Sequence, residues 1–246
     1  MPLLVETRDR VAVLTLSDPE RRNALTGPLV ADIVAAFDRC EADDDVGAVV
    51  ITGAPPAFCS GADTSTLGRL ASDESAATAR GGVANVYEGF LRVLRSSLPT
   101  VAAVNGPAVG AGFNLALACD VRIAGQSARF DARFVRIGIH PGGGHLWLLE
   151  RAVGPQTAAA ITLFGQSLEG AAAAARGLAW CCEPDDALLD AAVAFAARAA
   201  EVPKPLAASA KSTLRHAPWQ PDFDAAVAME LDRQTWSFGQ GWFKRK

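Results

Sequence analysis

Residues 104–112 read Val-Asn-Gly-Pro-Ala-Val-Gly-Ala-Gly, and Thr100-Val-Ala-Ala103 before them is a short apolar strand signal. A buried strand that feeds a turn of small residues and then enters a helix is the construction unit of an α/β chain. Small side chains in such a turn let a ligand approach the backbone closely. The helix start beyond it presents unpaired N–H groups and partial positive charge. A second segment has the same design. Val46-Gly-Ala-Val-Val-Ile-Thr52 is a near-continuous apolar run, and Ala57-Phe-Cys-Ser-Gly-Ala-Asp63 follows as another small-residue bend. Two such bends set side by side hold one oxygen between two backbone donors, an oxyanion hole, in which loss of one donor costs about 3–4 kcal/mol. Taken singly, the same glycines need serve only tight strand-to-helix turns, so the pattern alone leaves both readings open.

Outward from these bends, strand and helix signals alternate. Val11–Leu16 is β-branched and strand-like, and the stretch after Asn23-Ala-Leu-Thr26 places Leu29, Ile33, Val34 and Phe37 on a helix face. Residues 53–82 read as a long loop with a short helix, 84–96 as a helix stopped by Pro99, and 121–124 and 128–130 as strands. Beyond Pro141-Gly-Gly-Gly144 the spacing predicts helices over 146–153, 155–164, 169–176, 186–201, 204–215 and 221–238, with one short strand near 178–183. Pro203, Pro205, Pro218 and Pro221 punctuate the tail.

Composition narrows the function. The 246 residues are 50% hydrophobic and 20% charged, which is enough to build a sizeable core. A net charge of -4 argues against binding duplex nucleic acid, which calls for a basic face. No apolar run reaches the ~18 residues of a membrane span, and the first residues lack the basic-then-apolar order of a secretory signal. Five cysteines, without CxxC spacing and with Cys181 beside Cys182, read as reduced thiols of a cytoplasmic protein. Three histidines and no HExxH give no reason to expect a metal. Gly106-x-x-x-Gly110-x-Gly112 is not a dinucleotide fingerprint, Pro141-Gly-Gly-Gly144 is not followed by the GK[ST] of a P-loop, and no GxSxG nucleophile elbow occurs.

Several ordered motifs together carry a resemblance. Pro19-Glu-Arg-Arg-Asn-Ala-Leu25, Ala57-Phe-Cys-Ser-Gly-Ala-Asp63, Pro99-Thr-Val-Ala-Ala-Val-Asn-Gly106, Gly110-Ala-Gly112, Ala118-Cys-Asp120 and Ile137-Gly-Ile-His-Pro-Gly-Gly-Gly144 resemble, along nearly the whole chain, the crotonase superfamily of enoyl-CoA hydratases and isomerases. The resemblance implies an α/β fold: a spiral core of repeated ββα units over residues 1–195, and a helical oligomerisation region over 196–246. It implies a homotrimer or a dimer of trimers. It implies an acyl-CoA thioester as ligand, with coenzyme A part of the substrate and no further cofactor. By motif position the Ala62 and Ala111 N–H groups become the oxyanion donors. Arg21, Arg22, Ala24, Ser60 and Ala62, with Lys244 and Arg245 of the basic tail, become candidates for holding the CoA moiety.

The resemblance also implies where chemistry is missing. Hydratases of the family divide proton transfer between two glutamates, and general acid–base groups are worth 10²–10⁴-fold each. Here Asn114 and Phe134 stand at those positions, and neither an amide nor a phenyl ring takes up a proton near neutral pH. Arg136 and Gly142 likewise replace the second acid of dienoyl isomerases and the nucleophilic Asp of dehalogenases. The expectation is an enolate-stabilising acyl-CoA protein that is not an efficient hydratase. Two alternatives stand beside it: a carrier of fatty acyl-CoA without chemistry, and a carbon–carbon bond hydrolase with His145 as base. The plainer reading of His145, and the one preferred here, is a residue that caps or packs at a helix start. Asp131 is expected to pair with Arg133 or Arg136, Cys59 and Tyr87 to pack, and Phe113, Phe130, Phe134, Trp147 and Leu148 to line an apolar acyl pocket or an ordinary core.

Overall fold

Alternation along the strands decides which side of the sheet each residue joins. Successive side chains of a strand point to opposite faces. In β2 (Val11–Leu16), Val11 and Val13 therefore join one core while Ala12, Leu14 and Leu16 join another. The computed structural model describes residues 2–63 and 76–243. Its strands are β1 (Leu3–Arg8), β2, β3 (Ala48–Gly53), β4 (Thr100–Val104), β5 (Pro107–Val109), β6 (Val121–Gly125), β7 (Arg129–Asp131), β8 (Leu168–Glu169) and β9 (Cys181–Glu183). Six of them form one sheet in the order β1-β2-β3-β4-β6-β9, and three form a second in the order β5-β7-β8. Both β3 and β4 are buried along their whole length, as parallel strands covered on two faces must be.

The helices are α1 (Gly27–Ala42), α2 (Ala76–Arg95), α3 (Ala111–Ala118), α4 (His145–Thr162), α5 (Gly170–Ala175), α6 (Leu188–Ala200), α7 (Lys204–His216) and α8 (Phe223–Phe238). One face of the large sheet, with Leu14, Leu16, Val49, Ile51, Ala102 and Val104, shares a core with Leu29, Ile33 and Phe37 of α1, Phe90 and Val93 of α2, and Phe113 of α3. The opposite face, with Val11, Val13, Val50, Val101, Ala103 and Ile123, is closed by Ala192, Val193, Ala196 and Ala200 of α6. Residue 195, where the sequence reading divides the chain, lies within α6.

The chain climbs as a spiral. Its β4 joins the large sheet and β5 the small one before α3 begins; β6 and β7 repeat the step. The segment after β3 contributes likewise, through a parallel bridge between Cys59 and Ala108. Every turn thus places a strand in each layer.

The strand and helix readings hold for β2, β3, β4, β6, β7, β9 and the helices beyond residue 144, with ends shifted by a few residues. The reading did not include β1, β5 and β8. All but the first residue of β1 are exposed, so it carries no buried alternation, and β5 and β8 are three and two residues long. The helix read at 84–96 already begins at Ala76, so residues 76–82, read as part of a long loop with a short helix, belong to it; residues 64–75 lie outside the described ones. Helix α4 breaks at Gly154, whose φ of 75° and following Pro155 separate the two helical stretches that the spacing gave.

The C-terminal helices are pinned to the core through Asp120. Its carboxylate lies 2.6 Å from Lys211 Nζ and 3.1 Å from Arg215 Nη2, both on α7, and accepts the Thr100 N–H at 2.8 Å. Lys211 is only 7% exposed. Removing the Asp120 carboxylate would leave the buried Lys211 ammonium without its counter-charge, but the carboxylate itself is 30% exposed, so solvent screens part of the cost. Asp120→Ala is therefore expected to lower the unfolding free energy by about 1–2 kcal/mol in urea titrations; a loss below about 0.5 kcal/mol would mean that the pair behaves as a surface one.

Candidate functional site

The site is assembled by one buried amide and a ladder of short backbone contacts. Asn23, fully buried and left-handed at φ 57°, donates through Nδ2 to Ala54 O at 2.8 Å and Ala57 O at 2.7 Å, while its Oδ1 accepts the Asp18 N–H at 2.9 Å. This clamps the arginine-bearing turn at 19–22 to the bend at 57–63. The Ser60 N–H then donates to Arg22 O (2.9 Å), and the Leu25 N–H to Gly61 O (2.8 Å). On the other side the Cys59 N–H donates to Pro107 O (3.1 Å) and the Val109 N–H to Cys59 O (2.9 Å). The segments 22–25, 59–62 and 107–109 thereby run side by side as an extension of the small sheet.

This ladder brings the two small-residue bends together. A Cβ built on Gly61 (φ 91°) would sit 3.1 Å from Ala111 N and 2.5 Å from Val109 O, and one on Gly112 would sit 2.1 Å from Cys59 O. Only glycine permits this approach at either position. Ala111 opens α3, so its N–H belongs to the helix-start donors that have no intrahelical acceptor. Among the described residues neither the Ala62 nor the Ala111 N–H has a backbone acceptor.

Next to these bends Asn114, Phe134 and His145 form one cluster. Asn114 is 1% exposed, and its Nδ2 donates to Gly142 O at 2.9 Å. Its Oδ1 must then be the atom facing His145 Nδ1 at 2.6 Å, and it accepts the imidazole proton. That fixes the tautomer: Nδ1 carries hydrogen and Nε2 a bare lone pair. His145 is itself 1% exposed, and Nε2 has no partner among the described residues. The Phe113 and Phe134 rings meet the imidazole edge-on at 5.2 and 5.1 Å. Burial lowers the histidine pKa to about 4, so the ring is neutral at pH 7. The Phe134 ring also lies 3.7 Å from where a Cβ on Gly110 would stand, which joins the cluster to the bend.

On the other flank of the bends a cavity of about 240 Å³ is lined by Arg22, Ala57, Ser60, Val109, Arg129 and Arg133 among others. Asp131, 2% exposed, accepts from Arg129 (3.1 Å), Arg133 (3.0 Å) and Arg136 (2.5 Å). Three guanidinium groups against a single carboxylate leave this wall positive, and so suited to an anion. The expected pairing of Asp131 is present, with Arg129 as an addition that the sequence reading missed.

Of the other sequence candidates, Ala24 is buried, and Ser60 Oγ donates to Arg21 O at 3.0 Å. Arg21 reaches back to Asp18 at 3.4 Å, away from the cavity lining. Lys244 and Arg245 lie outside the described residues. Burial pushes the Cys59 thiol up to about 12, which suits the packing role read for it. Tyr87 packs on Phe90, and its hydroxyl accepts the Gly143 N–H. Trp147 is half exposed and stacks on Trp219 beneath Arg151 instead of joining the cluster. Among the described residues no three His, Cys, Asp or Glu groups gather as metal ligands, and no helix is long and apolar enough to cross a membrane.

Spiral turns that each feed two sheets, with a helix start set against a small-residue bend, define the crotonase class of α/β protein. Residues 6–239 match the enoyl-CoA hydratase/isomerase family, and the chain belongs to that family. It is 49% identical over 214 residues to a probable enoyl-CoA hydratase of Mycobacterium tuberculosis, covering 87% of this chain and 81% of the relative. It is 36% identical over 213 residues to the 2,3-dehydroadipyl-CoA hydratase of Escherichia coli, with 87% and 81% covered. A putative enoyl-CoA hydratase from Thermobifida fusca, solved in complex with CoA, superposes with a TM-score of 0.85 at 31% identity over 97% of this chain and 93% of that one.

The buried histidine makes stability depend on pH. An unfolded histidine titrates near 6.5, whereas His145 in the fold titrates at about 4. Between those values the unfolded chain binds more protons, so this contribution is complete above pH 6.5 and is lost as pH falls toward 4. The loss amounts to at most about 3 kcal/mol. Urea unfolding of His145→Phe is expected to show a flatter profile between pH 6.5 and 4 than the unaltered protein; parallel profiles would place the titration elsewhere.

Proposed function

We propose that this protein binds an acyl-CoA thioester and stabilises its enolate between the Ala62 and Ala111 N–H groups. The observation that carries the reading is the approach of the Gly61–Ala62 bend to the start of α3, where 3.1 Å would separate a Gly61 Cβ from Ala111 N. Two donors held by the fold need no reorganisation when charge develops on a carbonyl oxygen. The arginine-lined cavity next to Ser60 supports binding of the CoA phosphates, with Arg22 the sequence candidate that lines it. Arg21, Lys244 and Arg245 remain part of the proposal as further cationic contacts. The apolar sides of Phe113 and Phe134 favour an uncharged acyl chain.

Hydration by paired carboxylates does not fit these side chains. Both ends of the Asn114 amide are already engaged, and Phe134 offers no proton. Proton transfer at carbon is the chemistry the cluster favours, and a lone acceptor nitrogen in it favours catalysis over simple carriage. The protein is proposed to work in the cytoplasm as a homotrimer or a dimer of trimers. Leu214, Phe223, Leu231 and Phe238 of the C-terminal helices support that assembly, since all are more than half exposed here.

Acetoacetyl-CoA tests the donor pair directly, because its enolate has its own absorption band. Binding is expected to strengthen that band. Ala111→Pro deletes one donor at the first position of a helix, where proline is tolerated, and should weaken enolate binding by about 10²–10³-fold. An undiminished band in the variant, or calorimetry showing that CoA esters are not bound, would defeat the proposal. With crotonyl-CoA, loss of the conjugated thioester absorbance is expected to be slow, by at least about 10²-fold relative to a two-carboxylate hydratase.

A further inference from the structure

The proposed enolate chemistry leaves one thing unnamed, the group that takes the proton from carbon. We infer that His145 is that group, acting through Nε2, and that Asn114 is the positioning residue that holds it in the Nδ1–H form. The inference rests on the thioester reading above. Three observations carry it. Nε2 is a buried acceptor without a partner among the described residues, and such a group is costly enough to call for an explanation. A residue needed only to fill space between Phe113 and Phe134 would be better apolar. The Asn114 amide spends both its ends, one on Gly142 O and one on His145 Nδ1, to keep that lone pair on Nε2. The cluster also adjoins the donors. Ala111 and Asn114 are three residues apart on α3 and so share a helix face, while Phe134 touches both the space over Gly110 and the imidazole.

The step balances without any other reactant. The C–H bond next to the thioester carbonyl breaks, the proton goes to Nε2, and the electron pair moves into the carbonyl as an enolate whose oxygen the two N–H groups hold. Imidazolium and enolate arise together, so the buried charge that the site disfavours is formed only beside an opposite one. The proton returns to the same carbon or, when the chain carries a double bond one carbon further on, to the far end of that double bond. One base then suffices for a 1,3-shift of a β,γ-unsaturated acyl thioester into conjugation. Of the other titratable groups, the Tyr87 hydroxyl from α2 lies against Gly142 and Gly143 beside the cluster, His140 before α4 is exposed and engages Pro141 O, and Asp131 and Arg136, on either side of Phe134 in sequence, pair with each other. None of these is a cause of the lowered His145 pKa, which burial alone produces.

Deuterium exchange at the α-carbon of butyryl-CoA, followed by proton NMR in D2O, reads this step directly. The unaltered protein is expected to catalyse exchange, and His145→Gln to lose about 10²–10⁴-fold of it, with calorimetric affinity for butyryl-CoA within about twofold. Asn114→Asp places a carboxylate against Nδ1–H and should move the acid limb of the exchange profile to higher pH, which a purely structural amide would not do. Nitrogen-15 NMR of the unaltered protein needs no variant, and a proton on Nε2 in place of Nδ1 would overturn the inference. So would butyryl-CoA that binds but does not exchange, or exchange unchanged in His145→Gln; each leaves thioester binding standing. No binding of butyryl-CoA at all would instead remove the thioester reading itself.

Discussion

The contact on which the rest depends is the backbone pairing of Cys59 with Pro107 and Val109. Those residues are about fifty positions apart, and two hydrogen bonds, with glycine at both 61 and 112 in place of a side chain, let their strands lie so near. Parallel segments cannot be joined by a short hairpin. The chain must travel through α2 and β4 before it can return beside Cys59, and this detour is what turns an ordinary α/β sheet into a spiral. A helix start at Ala111 and a bend at Ala62 then face each other as a by-product of the same pairing.

Around that pairing the electrostatics divide into two halves. On one side, arginines outnumber the single buried carboxylate of Asp131, and the wall that also holds Arg22 is positive and partly open to water. On the other, Asn114, Phe113, Phe134 and His145 make a largely buried, neutral cluster in which burial holds the imidazole uncharged. Between them lie backbone N–H groups that carry only partial charge. A thioester laid across this boundary has a polar end and an apolar end that match the two halves.

Asn114 shows why a missing functional group is not the same as a missing function. By the resemblance it stands where a hydratase carboxylate is expected. Judged by contacts it is an amide whose donor end meets Gly142 and whose acceptor end meets His145, an arrangement that a carboxylate, with no donor, could not make. Phe134 likewise gives no proton but walls the imidazole from one side. Asn114, Phe134 and His145 therefore fit one another and form one set of contacts.

The sequence by itself determined the strands whose burial is complete, because their apolar runs and the polar or glycine-rich punctuation between them are local properties. It determined the small-residue bends for the same reason; the ordered motifs around them carried the resemblance to the family, and that resemblance in turn implied Ala62 and Ala111 as candidate donors. It could not show β5 or β8, which exist only because a neighbour pairs with them, nor β1, whose outward residues carry no hydrophobic rhythm. It singled out Asn114, Phe134 and His145 but not their junction, and it missed Arg129 and Arg133 as companions of Arg22. Those groupings were decided by tertiary structure alone, because hydrogen-bond partners, burial and the resulting proton affinity are set by residues tens of positions away that only the closed fold brings within reach.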